Sequence, residues 1–309
     1  MHILNIGSVN IDHVYMVDHF VRPGETLSSG HYDIFAGGKG FNQSIALARA
    51  GAPTRHAGRV GQDAAWLLDR LKGDGIDITQ LTITDTSTGH AIIQVIPTGE
   101  NAIVLHSGAN ASVSTEDIVR ALSSCSEGDV LLVQNETSSV AEAMRKGKDK
   151  GLKVVFNPAP MSPAVLDYPL QDVDLFILNE TEAEGLTGQS TPENVHAVMR
   201  TLFPGATAVL TMGHRGAAYL DAAGILSHPA IAVQTVDTTA AGDTFIGYFL
   251  AEMMRTGEPG RALAIGSHAA AICVTRPGAS DSIPFLEEVI AQMETTYGGF
   301  CARDCFCAV

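Results

Sequence analysis

The stretch Val236-Asp237-Thr238-Thr239-Ala240-Ala241-Gly242-Asp243-Thr244-Phe245 decides how the rest of the chain is interpreted. Its small residues, Ala240, Ala241 and Gly242, lead directly into an apolar run with helical spacing. The free backbone N–H groups of a new helix then face outward without bulky side chains, and such a helix start binds anions. We interpret Asp243 as a carboxylate base beside a bound phosphate and residues 240–243 as the anion hole. The alternative is an ordinary N-cap region, since Asp is common in first helical turns.

Length and charge limit the classes of function. The 309 residues carry a formal charge of -15 at pH 7, and 45% of them are apolar. This length suits one large α/β domain with an appendage, or two small domains. The negative charge repels nucleic acids and anionic lipid surfaces, so we expect neither as a partner, and a phosphate should be bound locally with a metal counter-ion. The start, MHILNIGSVNID, has no basic leader, and no stretch approaches the roughly 18 apolar residues of a membrane span, which predicts a cytoplasmic protein.

Cysteine and histidine show no metal-binding pattern. Cys125 and Cys273 stand alone, whereas Cys301, Cys305 and Cys307 crowd at the end without a fourth ligand nearby, so a frayed terminus is the preferred interpretation. The 11 histidines are scattered and contain no HExxH. We expect each histidine to be a surface or core residue.

Two inserts interrupt the first half of the chain. A short apolar strand, residues 2–7, is followed by polar Ser8, Asn10 and Asp12, which contact a ligand or form a turn. Residues 13–36 alternate weakly around a turn, and residues 89–106 show the pattern of a hairpin. We expect the two inserts to pair with each other.

A glycine-rich segment, Ala36-Gly37-Gly38-Lys39-Gly40-Phe41-Asn42-Gln43, opens the next helix. It is not a P-loop, because Asp33 and Gly40 occupy positions where that motif needs Gly and Ser or Thr. Paired glycines let the backbone approach a ligand closely, and Asn42 offers a donor and an acceptor to a hydroxyl. We therefore favour a ligand-binding segment over a plain glycine-rich turn.

Strands and helices alternate through the second half. We predict strands at 130–135, 153–157, 174–178 and 207–212, and helices near 138–149, 192–202, 243–256 and 259–272. Such alternation predicts a mostly parallel sheet covered by helices on both faces. Polar residues follow four of these strands, in the segments 134–136, 157–160, 179–182 and 211–216. Because the carboxyl ends of parallel strands share one edge, we expect these segments to form one composite site with residues 237–243.

Four segments together resemble the ribokinase branch of the ribokinase/PfkB carbohydrate kinases. They are Gly7-Ser8-Val9-Asn10-Ile11-Asp12, Gly37 to Gln43, the pair Asn179 and Glu182, and Asp237 to Asp243, in matching order and spacing across nearly the whole chain. The resemblance implies a doubly wound, mostly parallel sheet with helices on both faces and a small antiparallel β lid. It also implies transfer of the γ-phosphoryl group of ATP to the 5-hydroxyl of D-ribose, with Mg²⁺ as cofactor and K⁺ as activator. Two departures are Ile246, where members often carry Asn, and the tail from Tyr297, which has no counterpart.

The resemblance assigns roles to individual residues. Asp243 matches the catalytic base, and the positions that match sugar contacts are Asn10, Asp12, Gly38, Lys39, Gly40, Asn42, Glu136 and Asp243. The positions that match ATP contacts are Asn179, Thr211, Gly213, Arg215, Gly216, Gly242 and Ser267. Glu182 matches an acid that acts indirectly on Mg²⁺, and the K⁺ site matches Asp237, Thr239, Cys273, Arg276, Gly278 and Ser282.

The implied organisation is a core, a lid and a tail. Residues 1–12, 37–88 and 107–296 form the α/β core, residues 13–36 and 89–106 form the lid, and residues 297–309 form a disordered tail. An exposed edge of the lid favours a partner strand and hence a homodimer. Another sugar or nucleoside kinase of the same family, acting on fructose, tagatose, deoxyribose or a nucleoside, is the first alternative, and a non-catalytic sugar or nucleotide sensor is a remote one. A nicotinamide dehydrogenase is set aside because no GxGxxG follows the first strand.

Overall fold

The computed structural model describes residues 1–297, which form thirteen strands and nine α-helices. The strands are β1 (Ile3–Ile6), β2 (Asn10–Met16), β3 (His31–Gly37), β4 (Thr54–Gly61), β5 (Asp77–Thr84), β6 (Gly89–Val95), β7 (Asn101–His106), β8 (Val130–Gln134), β9 (Lys153–Asn157), β10 (Leu175–Asn179), β11 (Thr207–Thr211), β12 (Ala217–Asp221) and β13 (Gly224–His228). The helices are α1 (Lys39–Arg49), α2 (Ala65–Gly73), α3 (Thr115–Ser123), α4 (Val140–Asp149), α5 (Glu180–Thr187), α6 (Pro192–Leu202), α7 (Ala241–Thr256), α8 (Pro259–Cys273) and α9 (Leu286–Tyr297). The predicted tail lies outside the described residues except for its first residue, which ends α9.

The large sheet has nine strands in the order β13-β12-β11-β10-β9-β8-β1-β4-β5. The strands from β11 to β5 are parallel, whereas β12 and β13 continue the sheet antiparallel at one edge. The predicted parallel sheet is confirmed. The edge hairpin of β12 and β13 and the strands β4 and β5 were not among the predicted elements.

Helices cover both faces of this sheet, as predicted. In β8, Leu131 and Val133 belong to a buried cluster with side chains of α3 and α4, whereas Val130 and Leu132 belong to another with side chains of α7 and α8. Parallel strands that are buried on both faces have continuous apolar sequences, and β8 shows this pattern in Val130-Leu131-Leu132-Val133.

The two inserts pair, as predicted, in a second sheet of order β3-β2-β6-β7. The outer pairs are antiparallel and the central pair, β2 with β6, is parallel. Strand β2 begins at Asn10 and β3 ends at Gly37, so the second sheet reaches slightly beyond residues 13–36 at both ends. Asn10 and Asp12 therefore lie where the small sheet joins the large one.

The strand ends meet at one edge of the large sheet, as predicted. Gln134 is paired in register with Asn157, and Asn179 with Thr211. None of the helices in residues 1–297 is both long and apolar enough to cross a membrane.

Candidate active site

Helix α7 begins with an uncommon backbone conformation. Ala240, its N-cap residue, has φ 61° and ψ 4°, in the left-handed region that non-glycine residues rarely adopt. The carbonyl of Ala240 accepts hydrogen bonds from the backbone N–H and the hydroxyl of Thr244, both at 2.8 Å. The N–H of Ala241 donates to the Thr238 carbonyl at 3.2 Å, whereas those of Gly242 and Asp243 have no backbone acceptor among the described residues. Two first-turn amides are therefore spare for an anion.

The carboxylate of Asp243 is buried, with 9% exposure, and is held from α1. Asn42 donates its side-chain N–H to Oδ2 at 3.1 Å, and Gln43 donates to Oδ1 at 2.9 Å. Asn42 Oδ1 is buried and has no hydrogen-bond partner within residues 1–297. Because a buried acceptor without a partner costs free energy, this oxygen indicates where a ligand hydroxyl would donate.

The glycines before α1 bring the small sheet close to this helix. A Cβ on Gly37 would lie 2.0 Å from Oδ2 of Asp12, so only glycine lets that carboxylate lie against the chain. Gly38 caps α1 with φ 90°, and a Cβ on Gly40 would meet the backbone N of Ser8 at 2.4 Å. The predicted sugar contacts at Asp12, Gly38 and Gly40 are thus neighbours.

Acidic side chains surround Lys39. Glu136 accepts hydrogen bonds from the Ser8 hydroxyl at 2.5 Å and from the Lys39 backbone N–H at 2.9 Å. Burial raises the pKa of Glu136, and burial together with the charge of Glu136 raises the pKa of Asp12 to about 7. Burial acts to lower the pKa of Lys39, but the charges of Asp243, Glu136 and Glu182 outweigh it and raise that pKa above its ordinary value. The Lys39 ammonium is therefore kept charged among the carboxylates.

A cleft of about 240 Å³ opens beside Asp243 at the carboxyl edge of the large sheet. Its lining is Lys39, Asn157, Ala159, Ile177, Leu178, Asn179, Glu182, Thr211, Thr238, Ala240, Gly242, Asp243 and Ile246. The cleft brings together predicted catalytic, sugar-side and ATP-side positions. It also includes Asn157, whose segment was expected in the composite site but which was given no role of its own, and Ile246, which was noted only as a departure from the family pattern.

Asn179 and Glu182 form a reciprocal cap at the start of α5. The Glu182 N–H donates to Asn179 Oδ1 at 2.9 Å, and Glu182 Oε2 accepts from the Asn179 N–H at 2.9 Å. Glu182 also accepts from the side chains of Asn179 and Asn157, at 2.9 and 3.3 Å. Burial raises the pKa of Glu182. The carboxylate is fixed by amides and faces the cleft.

The side chains near the cleft can bind Mg²⁺ only if the phosphates of ATP and water molecules supply most of its ligands. Within residues 1–297 no group of three or more His, Cys, Asp or Glu could hold a metal ion by itself. Mg²⁺ commonly binds one or two carboxylates together with substrate phosphates and waters, and Glu182 could serve through such a water.

The other predicted ATP-side residues lie away from the cleft lining. Gly213 and Arg215 form a short turn after β11, and the Met212 N–H donates to the Gly216 carbonyl at 2.8 Å. The Arg215 guanidinium pairs with Glu180 at the surface. Ser267 is buried in α8. These residues can contact a nucleotide only if the nucleotide extends beyond the cleft.

The loops predicted to hold K⁺ contact each other through Asp237. Its Oδ1 accepts from the N–H and hydroxyl of Thr239 at 2.9 and 2.7 Å, and its Oδ2 accepts from the Gly278 N–H at 3.0 Å. The Cys273 thiol lies 3.1 Å from the Ser282 hydroxyl and donates to the Thr239 carbonyl at 3.6 Å.

The side chain of Arg276 points elsewhere, to Glu288, so only its backbone could serve a cation. The hydrogen bonds of Asp237 are also those of a residue that caps a turn. One carboxylate with neutral oxygens nevertheless suits a large monovalent cation.

Gln43 is the contact of Asp243 that sequence reasoning did not assign to the site. It follows Asn42 in the glycine-rich segment, which is a local signal, but its role depends on α7, 200 residues away.

Comparisons with known proteins found a matching family and several similar proteins. The pattern of pfkB family carbohydrate kinases matches residues 2–286. The chain is 38% identical over 298 residues to the ribokinase of Haemophilus influenzae, covering 94% of this chain and 97% of that protein. It is 33% identical over 298 residues to the deoxyribokinase of Salmonella typhi, covering 93% and 97%. The structure of Arabidopsis thaliana ribokinase complexed with ribose and ATP matches with a TM-score of 0.85 and 27% identity, covering 95% of this chain and 98% of that one.

Proposed function

The chain belongs to the pfkB family of carbohydrate kinases, and from that premise we propose that it transfers the γ-phosphoryl group of ATP to the 5-hydroxyl of D-ribose. The observation that carries this proposal is the buried Asp243 at the start of α7, beside two spare amides and the unpartnered Asn42 Oδ1. A proton acceptor, an anion-binding helix start and a hydroxyl-binding amide thus lie together where α1 packs against α7.

The sugar would lie between the small sheet and α1. Asn42 and the carboxylates of Asp12 and Glu136 would accept or orient its hydroxyls, together with Asn10 and the glycine-flanked backbone at Lys39. Carboxylates accept hydrogen bonds from sugar hydroxyls strongly, since bonds to charged groups are about twice as strong as neutral ones. The small sheet, residues 10–37 and 89–106, would act as a lid over this side.

ATP would occupy the cleft and extend toward the turn at Gly213. Asn179, Thr211 and Gly242 would contact the phosphate side, and Arg215, Gly216 and Ser267 the remainder. When bound with ATP, Mg²⁺ neutralises phosphate charge, and Glu182 would hold it through water.

The transfer needs positioning more than covalent chemistry. Its transition state is loose and spreads charge over the phosphoryl oxygens, so electrostatic stabilisation dominates. Asp243 accepts the proton of the attacking hydroxyl, while the amides of Gly242 and Asp243 face the developing negative charge. Lys39 contributes a positive charge among the surrounding carboxylates.

K⁺ activation is a further part of the proposal. Backbone carbonyls near Asp237 and Gly278 would bind K⁺ and thereby order the loop of residues 237–243. Replacing K⁺ by tetramethylammonium at constant ionic strength should lower turnover and leave ATP affinity nearly unchanged. A flat response, together with an unchanged rate in Asp237→Ala, would contradict the K⁺ site.

A homodimer through the lid completes the proposal. Strand β7 ends the small sheet, and all six of its residues are exposed. An open strand edge of this kind favours pairing with a second chain.

The test is ADP release with ribose, deoxyribose, fructose, tagatose and adenosine. Ribose should give the highest kcat/KM, and Asp243→Asn should lower kcat at least about 100-fold while keeping ATP affinity. Deoxyribose is the second candidate because of the Salmonella typhi deoxyribokinase. A higher kcat/KM for any other substrate contradicts the ribose assignment, and near-normal turnover of Asp243→Asn contradicts the role of the base.

A further inference from the structure

A buried chain of side-chain amides runs behind Asp243. Gln43 donates one N–H to Asp243 Oδ1 at 2.9 Å and another to Asn157 Oδ1 at 3.2 Å. Asn157 in turn donates to Glu182 Oε2 at 3.3 Å. Gln43 has no exposed surface and Asn157 only 5%. Asp243 and Glu182, two carboxylates that line the cleft, are therefore connected through two neutral amides.

The orientation of these amides is fixed at both ends. Asn5 donates to the Gly40 carbonyl at 2.8 Å, so its oxygen is left to accept from Gln134 at 3.0 Å. Gln134 also donates to Gln43 Oε1 at 2.7 Å, which turns the nitrogen of Gln43 toward Asp243.

On the other side, Asn157 donates to the Ile177 carbonyl at 2.9 Å, which turns its oxygen toward Gln43. Backbone carbonyls and carboxylates only accept, so rotating one amide by 180° would break several bonds at once.

This arrangement has a physical consequence for the proposed base. A buried carboxylate can rotate or take a proton unless donors hold both oxygens, and here the donors are Asn42 and Gln43. Asn42 must also serve the ligand in the proposed sugar site, whereas every side-chain hydrogen-bonding atom of Gln43 is engaged within the protein. Gln43 is thus the donor that keeps its geometry whether or not a sugar is bound.

We infer that Gln43 is a positioning residue for the phosphoryl transfer: its amide fixes the carboxylate of Asp243 and links it through Asn157 to Glu182. The inference rests on the proposed role of Asp243 as the base. As a positioning residue, Gln43 touches no substrate and acts only through Asp243.

The test is a double-mutant cycle between Gln43→Met and Asp243→Asn. Methionine keeps the length of the side chain and removes the donors. Gln43→Met should lower kcat about 10- to 100-fold, the range expected for losing a hydrogen bond to a charged group, and leave KM for ribose and ATP within about 2-fold. In the Asp243→Asn background the same change should have an effect below about 3-fold, because the carboxylate it positions is gone.

Ser44→Ala is the matched control. Ser44 is equally buried and belongs to the same network through Asn5 and His56, but it contacts neither carboxylate. It should lower the melting temperature without lowering kcat. If Gln43→Met does not fold, Gln43→Asn replaces it in the same double-mutant cycle. Asparagine keeps the amide, but its side chain is one methylene shorter and cannot reach both acceptors.

Three results would overturn the inference: an unchanged kcat in folded Gln43→Met, an equal loss in both backgrounds, or an equal loss of kcat in Ser44→Ala. Each of these leaves the proposed function standing if Asp243→Asn itself lowers kcat at least about 100-fold. Full activity of Asp243→Asn would instead remove the proposed base, so the two failures are distinguishable.

Discussion

Among single residues, Asp12 is a predicted sugar contact whose carboxyl group titrates near neutral pH. Its pKa is raised to about 7 by burial and by the charge of Glu136. The ionised form accepts hydrogen bonds from hydroxyls with both oxygens, whereas the protonated form loses part of that capacity.

Ribose affinity should therefore fall as pH decreases below about 7, approaching tenfold per pH unit if only the ionised form of Asp12 binds. Titration calorimetry without ATP isolates this step from the chemistry. Asp12→Asn should bind ribose weakly and with a nearly flat pH dependence. A wild-type affinity that stays constant from pH 8 to pH 5.5 would contradict the role of Asp12.

The pH dependence of stability is an independent check on Asp12, because the raised pKa determines the direction in which stability changes with pH. Because the folded pKa of Asp12 lies above the ordinary value of 3.8 for an aspartate, the native state holds this proton more tightly than the unfolded chain, and ionised Asp12 costs stability. The cost is absent below pH 3.8 and grows until about pH 7. The melting temperature of Asp12→Asn should consequently rise relative to the wild type between pH 5 and pH 8.

The residues of the site differ in how far they could be predicted. Asp243 follows small residues and precedes an apolar run, which is a local signal. Gln43 meets Gln134 and Asn157 across separations of 91 and 114 residues, and no local pattern marks an amide that must join such partners. The buried network behind the base could therefore be found only in the folded structure.

Among the elements, α1 and α7 decide where the base lies, because one carries Asn42 and Gln43 and the other carries Asp243. Gly247 lies one turn after Asp243, and a Cβ there would be 2.4 Å from Ala46 Cβ and 2.7 Å from the Leu47 backbone N. The two helices thus pack backbone against backbone one turn beyond the base.

Gly247→Ala should push these helices apart and misplace Asp243. Overpacking of this kind costs about 1–3 kcal/mol in the free energy of unfolding, and a displacement near 1 Å lowers kcat by up to about 100-fold. Circular-dichroism melts and ADP release measure the two effects. Gly73→Ala, whose Cβ would have nothing within 4 Å, is the control and should be neutral or slightly stabilising. Equal behaviour of the two variants would contradict the packing argument.

Predictability also differs among the strands. The strands β8 to β11 are apolar runs, and their predicted bounds agree with the structure within one residue, because burial on both faces requires continuous apolar sequence. Strand β4 contains Arg55, His56, Gly58 and Arg59. Two of these side chains bond to distant partners, Arg59 to Asp117 and His56 to Ser44. Its place in the sheet follows from tertiary contacts and not from hydrophobic periodicity.

At the scale of the whole molecule, two opposing effects act on the proposed dimer. Apolar side chains on the β7 edge favour it, whereas the negative charge of the two chains opposes it. The edge strand β7 exposes Ile103, Val104 and Leu105 by 56%, 67% and 49%. Each chain carries a formal charge of -15, so two copies repel each other over the Debye length, about 30 Å at 0.01 M salt and about 10 Å at 0.1 M. Screening removes most of the repulsion without weakening the apolar contact.

Dimerisation should therefore strengthen as salt rises from 10 to 150 mM, which is the opposite of the response expected for an interface held by ion pairs. Analytical ultracentrifugation measures the dissociation constant at each salt concentration. Val104→Lys should give monomers at both salts, because it places a charge on the exposed strand. Val119→Lys changes an exposed valine on α3, outside the small sheet, and should remain as dimeric as the wild type. A wild-type chain that stays monomeric at 150 mM salt, or a Val104→Lys variant that dimerises normally, would show that the β7 edge does not hold two copies together.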